Sequence, residues 1–146
     1  MEDDRYERGL KAYASQFGIA ESAVAAYFAD RYGSRFGEEA INAAGGAWND
    51  DELTLRDRSI VVVVALITQG GVDDRLRGHV RWALEHGVTA AELDAILALL
   101  AVYVGYPRAS TAGEIVREEL NRVGGHRHEP DGETNRRAAD GLTQPD

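Results

Sequence analysis

Apolar positions recur every three to four residues from near the start of the chain to about Val123, the spacing of helices with one buried face. Tyr6, Leu10 and Tyr13 share a face over roughly Asp3–Gln16, which Gly18 closes. Val24, Tyr27 and Phe28 repeat the pattern over Glu21–Tyr32, ended by Gly33. Phe36, Ala40, Ile41 and Ala44 mark a third helix over Ser34–Trp48. The adjacent Gly45 and Gly46 near its end predict a break or kink and a close backbone approach.

The stretch "LTLRDRSIVVVVALITQGG" is ambiguous, because four consecutive valines favour a strand on propensity. Thr54 followed three residues later by Asp57 resembles a helix N-terminal capping arrangement. The stretch is also long for a strand, and its neighbours are helical. It reads as a helix buried on nearly every side, at the centre of the fold. Asp73 or Asp74 is expected to cap the next helix, which runs to His86 and stops at Gly87, a candidate left-handed residue. "TAAE", Thr89 to Glu92, is a capping box that opens a helix with Leu93, Ile96, Leu97, Leu100 and Val104 as its stripe. Gly105 and Pro107 separate it from a last helix over about Pro107–Arg122. The expectation is an all-α domain of six to seven helices over residues 1–123. Residues 124–146 contain almost nothing apolar and are expected to form a disordered polar tail.

Composition narrows the chemistry. A chain of 146 residues with 44% hydrophobic content fits one soluble domain. The absence of cysteine excludes disulfides, thiolate zinc sites and thiol redox chemistry. A net charge of −9 argues against nucleic acid and anionic membranes as partners. The run "IVVVVALI" is too short to cross a bilayer, and the acidic opening "MEDDRYERGL" is unlike a signal peptide, so a cytoplasmic protein is expected. There is no glycine-rich loop after a strand, no G-x-S-x-G nucleophile elbow and no helical pair of metal-binding histidines. His126 and His128 form an H-x-H pair without a third ligand, so no metal is expected.

His79 is the residue that remains. It lies three residues after Leu76 and four before Ala83, on their inward face, with Arg75 and Arg81 on the flanks and Trp82 nearer the opposite side. An imidazole beside guanidinium groups stays neutral near pH 7 and still shuttles a proton. Pattern alone leaves two readings open, a buried structural histidine or a proton-transfer group facing a pocket. His86, in the last turn of its helix, fits a capping role.

The same region resembles the carboxymuconolactone decarboxylase family, whose pattern is R-S-L, an apolar helix, H-x-R-x-A-L-x-x-G-x-T-x-x-E-[LI], then A-x-Y-x-G-x-P. Here stand Arg58–Ser59–Ile60, then His79, Arg81, Ala83, Leu84, Gly87, Thr89, Glu92 and Leu93, and finally Ala101, Tyr103, Gly105 and Pro107. "GGAW" at Gly45–Trp48 is similar to the family's G-x-x-W, and the resemblance covers about residues 5–122. It implies an alkylhydroperoxidase D-like helical fold whose copies assemble into rings, trimers or hexamers, with pockets near subunit contacts. It also implies decarboxylation of a carboxylated muconolactone without a cofactor, with His79 as the proton-transfer residue.

Two positions depart from that pattern. Gly46 stands where the family usually has Glu, and Asp50 where it usually has Arg. An extra residue precedes His79 in "GGVDDRLRG", and without a C-x-x-C pair the peroxidase chemistry of the wider fold is excluded. The expected function is a cofactor-independent lyase or isomerase on a small lactone or conjugated acid, one of secondary metabolism rather than the namesake substrate. Arg58 and Arg81 are the candidate anion binders, although Arg58 could equally pair with Asp57 or Asp74. Trp48, Tyr103 and Tyr106 are candidate pocket walls or ordinary core residues. The alternative is a non-catalytic oligomer with a degenerate ligand pocket.

Overall fold

The structure, a computed structural model, describes residues 2–49 and 51–125. They form seven helices: α1 (Glu2–Phe17), α2 (Glu21–Tyr32), α3 (Ser34–Ala47), α4 (Leu55–Gln69), α5 (Asp73–Glu85), α6 (Ala90–Val104) and α7 (Tyr106–Gly125). The expected all-α architecture is the observed one. Helix α7 takes in Gly124 and Gly125, the first two residues of the expected disordered tail, because the helix continues past Val123; Asp50, the H-x-H pair and the rest of that tail, from His126 onward, lie outside the described residues.

The helices pack as two groups. Ala14, Val24, Phe28 and Ile41 form the centre of an α1–α3 cluster, with Leu10, Tyr13 and Phe17 packed against it. Val63, Ile67, Leu76, Val80, Leu93 and Ile115 anchor a second core made by α4–α7. Single glycines at positive φ, Gly33 (98°) and Gly105 (88°), join α2 to α3 and α6 to α7. Each lets the chain turn sharply where a side chain would be strained.

Local capping follows the residues that encode it. The Thr54 hydroxyl accepts from the Asp57 amide at 3.1 Å, fixing the start of α4 as a helix rather than a strand. At α6 the box is complete: the Thr89 hydroxyl accepts from the Glu92 amide, and Glu92 accepts from the Thr89 amide at 2.9 Å.

Three expectations are corrected. Gly45 and Gly46 do not break α3, which runs through them to Ala47. The close approach does exist, since a Cβ on Gly45 would collide with the Arg5 carbonyl of α1, and one on Gly9 with the Ile41 carbonyl of α3. Helix α4 is not buried all round: Val63 and Ile67 are buried, whereas Val61 is 57% exposed. Four consecutive residues at 100° each sweep past any single interface, so they cannot all face one core. At α5, Val72 occupies the N-cap without a side-chain bond, and Asp73 and Asp74 sit in the first turn, where their charges favour the positive end of the helix dipole.

Candidate active site

Helix α5, seated in the second group, also reaches the first through Trp82 against Phe17 and Arg75 against Tyr32, and the candidate site lies on the seam it makes with α1, α2 and α3. Leu76, Val80 and Ala83 commit one face of α5 to the second core. His79 sits beside that face, half-buried, and opens into a cavity of about 370 Å³. Trp82, three residues on, meets the imidazole edge-to-face, with centroids 4.7 Å apart and planes at 88°. Trp82 therefore shares the pocket with His79, contrary to the opposite-side placement read from the sequence. One helical turn before His79, Arg75 reaches the cavity mouth. Its guanidinium donates to the Tyr32 hydroxyl of α2 and lies over that ring, 5.6 Å from the centroid.

The opposite wall is aromatic. Tyr13 and Phe17 of α1 stack at 5.2 Å, and Tyr13 meets Phe28 of α2 edge-on at 4.7 Å. Phe17 also reaches across the seam to Trp82 at 6.2 Å. Tyr32 and Phe36 form the rim, their rings 5.4 Å apart.

This setting decides the charge of His79. Burial in an aromatic cavity, with the Arg75 guanidinium a lesser contributor, pushes its pKa down to about 4. The imidazole is neutral at pH 7, and no protein group hydrogen-bonds its nitrogens among the described residues. Arg75 in turn holds the Tyr32 phenol below its ordinary pKa through the hydrogen bond, while burial raises that of Tyr13.

A stability prediction follows. In the unfolded chain a histidine titrates near 6.5, whereas in the fold His79 titrates near 4. Between those values the unfolded state binds the extra proton, so stability falls as pH drops from about 6.5 to about 4 and the effect then levels off. The full shift corresponds to roughly 3.4 kcal/mol, and the ring's remaining solvent contact reduces the expected loss to about 1–2 kcal/mol. Urea titrations of the wild type and His79→Gln across this window should differ by that amount, with the variant losing less; parallel curves would contradict the buried neutral imidazole.

The other sequence-derived candidates are not brought to this pocket. Arg58 is buried at the start of α4, where it donates to the Ala47 carbonyl at 3.0 Å and to the Leu53 carbonyl, closing the link between α3 and α4. Arg81 points to α7, where its Nε lies 3.7 Å from Glu119. Glu119 is fully buried and also faces Arg77 at 3.7 Å and Arg122 at 3.5 Å, a structural ion cluster. Trp48 is half-buried at the C-cap of α3, away from the pocket lining. Tyr103 and Tyr106 are 79% and 77% exposed at the α6–α7 corner. Of the named candidates only His79 lines the cavity.

The pocket residues passed over as site candidates were Arg75, Tyr32 and the α1–α2 rings. The signal available for them was the four-residue spacing of Tyr13 with Phe17 and of Phe28, Tyr32 and Phe36. His86, the C-cap of α5, makes a 2.7 Å hydrogen bond between its Nδ1 and the buried Ser59 hydroxyl, in keeping with a structural role. Another cavity, of about 480 Å³, lies between the end of α4 and α7. Its wall is largely aliphatic, it contains no histidine or tyrosine, and Arg108 there is engaged by the Thr68 and Gln69 carbonyls. Among the described residues no group of three or more histidine, aspartate or glutamate side chains is placed to hold a metal ion, and no helix is long and apolar enough to cross a membrane.

An all-helical fold with a histidine on the helix after an apolar one defines a class, and the comparisons agree with it. Residues 36–118 match the carboxymuconolactone decarboxylase family, more than half of the chain, and the chain belongs to that family. A 4-carboxymuconolactone decarboxylase of Acinetobacter baylyi (strain ATCC 33305 / BD413 / ADP1) is 30% identical over 82 residues. That alignment covers 56% of this chain and 60% of the relative's length. Arg75, His79 and Trp82 fall inside the family match, whereas Tyr13, Phe17, Phe28 and Tyr32 precede it.

Proposed function

We propose that this protein is a cofactor-independent decarboxylase or related lyase or isomerase acting on a small conjugated acid or lactone in the seam pocket. The observation that carries the reading is His79: a neutral imidazole with free nitrogens, inside a cavity that also holds an arginine. In such a reaction the carbon–carboxylate bond breaks and CO₂ leaves. The electron pair moves into the conjugated system, whose carbon then takes up a proton.

His79 serves as the proton carrier. An anionic substrate offsets the charge of Arg75 and raises the imidazole's proton affinity, so the ring takes a proton on binding and returns it to carbon. Arg75 replaces Arg58 and Arg81 as the anion-recognising residue, its planar fork suiting a carboxylate.

Turnover is tested with 4-carboxymuconolactone and a panel of unsaturated lactone acids and conjugated acids, following CO₂ by mass spectrometry, with His79→Gln beside the wild type. Release of CO₂, lost in the variant, is the expected result. Failure of a folded wild type on the whole panel would favour the second reading, a ligand-binding protein without turnover. One observation leans that way: at Gly46, where the resemblance expects a glutamate, the Arg5 side chain fills the adjoining space.

Assembly into trimeric or hexameric rings is part of the proposal. Leu99, Val102, Tyr103 and Tyr106 are exposed along α6 and the start of α7, an apolar stripe of the kind that a second surface covers. A second copy of this chain is the proposed cover. Light scattering should give an oligomer for the wild type and a smaller species for Val102→Asp; a wild-type monomer would overturn this part.

A further inference from the structure

The seam pocket has more specific walls than a site for any small acid requires. Its volume, about 370 Å³, lies at the small end of the range for small-molecule sites, roughly 300–1,000 Å³, and admits one or two fused rings. Tyr13, Phe17, Phe28 and Trp82 supply ring faces and edges around the void, and Phe36 stands 58% exposed at its rim beside Tyr32. An exposed phenylalanine there contributes little to the α1–α3 core, but it extends the aromatic wall to the entrance.

The polar equipment is equally particular. Arg75 makes its polar contact with Tyr32, and no carboxylate pairs with it among the described residues, Asp74 at the same mouth included. An arginine in an aromatic frame without an acidic partner selects an anion. The same positive charge disfavours the cations that aromatic cages otherwise attract. The α1 and α2 rings lie before the residues matched to the family, so this half of the pocket is argued from the chain's own structure.

We infer that the seam pocket takes a planar aromatic carboxylate of one or two fused rings, its ring between the α1–α2 aromatics and Trp82 and its carboxylate on Arg75. This rests on the seam pocket being the functional site proposed above, and it names the substrate class of that site; on such a ring the His79 proton goes first to the carboxylate-bearing carbon, and loss of CO₂ then returns the bond's electron pair to the ring. A flat ring meets the walls in the offset and edge-to-face arrangements that aromatic rings prefer, which a puckered saturated ring of the same size does not. Because Arg75 sits at the mouth and stays partly solvated, its contribution belongs at the lower end for a charged hydrogen bond, about tenfold in affinity.

Calorimetric titration of the full chain at neutral pH tests this with naphthoate, its neutral amide naphthamide, and the fully saturated decalin carboxylate. The expected order is naphthoate tightest, with amide and decalin acid each weaker by about tenfold or more. Arg75→Met, which keeps the side-chain stem, should bring naphthoate down to the level of the amide. Equal affinity for naphthoate and naphthamide in the wild type would overturn the inference without reliance on any variant. Binding of the decalin acid as tight as that of naphthoate would overturn it as well. Turnover of a lactone acid by a protein that does not bind naphthoate would overturn this inference and leave the proposed activity standing. Selective naphthoate binding without His79-dependent turnover of any acid would support the ligand class and remove the catalytic reading.

Discussion

His79→Gln is expected to lower turnover by about 10²–10⁴-fold while the folded helix content is retained. Glutamine keeps a polar head of similar reach, so the half-buried position beside Trp82 stays filled, but it cannot carry a proton at any accessible pH. The size of the loss separates the readings. A structural histidine replaced by a similar side chain would alter kcat by a small factor and shift chiefly the melting temperature. The pH profile is the sharper measure. Free His79 titrates near 4 and must gain a proton from solvent before returning it to carbon, so kcat/KM for an anionic substrate should rise about tenfold per pH unit as pH falls, along a limb that levels off near 4. Arg75→Met removes the lesser of the two causes that depress this pKa, so the limb should move upward but stay below the ordinary histidine value, because burial remains. A limb at the same pH in both proteins would show that Arg75 does not act on the imidazole.

Much of the fold was legible because its signals are local. Thr54 with Asp57 and Thr89 with Glu92 mark helix starts through hydrogen bonds within one turn, and Gly33, Gly87 and Gly105 mark ends through backbone freedom. Errors arose where a distant partner decides. Glycine inside a helix costs only about 1 kcal/mol against alanine, so Gly45 and Gly46 stay helical when α1 packs on them. The uniform apolarity of "SIVVVVALI" could not tell a helix enclosed by its own chain from one with an open face. The site divides in the same way. His79 was readable from the spacing of α5 with Leu76 and Ala83. The diversion of Arg81 to Glu119, thirty-eight residues later in the chain, follows from the packing of α7 on α5, and periodicity within α5 carries no trace of it. The burial of Arg58 against the Ala47 carbonyl is likewise a tertiary contact. The α1–α2 half of the pocket depends on which face of the three-helix group meets α5.

That three-helix group is held by a contact with no room in it, so Gly45→Ala is expected to be, with Gly9→Ala, among the most damaging single methyls in the described residues. Gly45 is buried in α3, and an added Cβ would overlap the Arg5 carbonyl oxygen and crowd the Gly9 amide of α1. The obstacle is helix backbone, which cannot turn aside as a side chain can, so α1 and α3 must separate. Overpacking typically costs about 1–3 kcal/mol, with backbone clashes at or above the upper end, while the gain in helix propensity returns at most about 1 kcal/mol. A net loss of about 2–3 kcal/mol, read as a fall in Tm of roughly 10 °C, is the expected result. Gly46→Ala is the internal control. Its Cβ meets the Arg5 guanidinium, an exposed side chain that can shift at the cost of its one 2.9 Å hydrogen bond to the Asn42 carbonyl, and the gain in helix propensity offsets that, so Tm should change little. Equal effects at the two positions would contradict the close α1–α3 approach. The consequence reaches the site through α1, which carries Tyr13 and Phe17: once α1 lifts from α3, the aromatic wall loses one side. His79 and Trp82 remain seated on the α4–α7 core. Gly45→Ala should therefore weaken ligand binding at temperatures where the second core is still folded, and naphthoate binding should be lost before the second half of the helical signal melts.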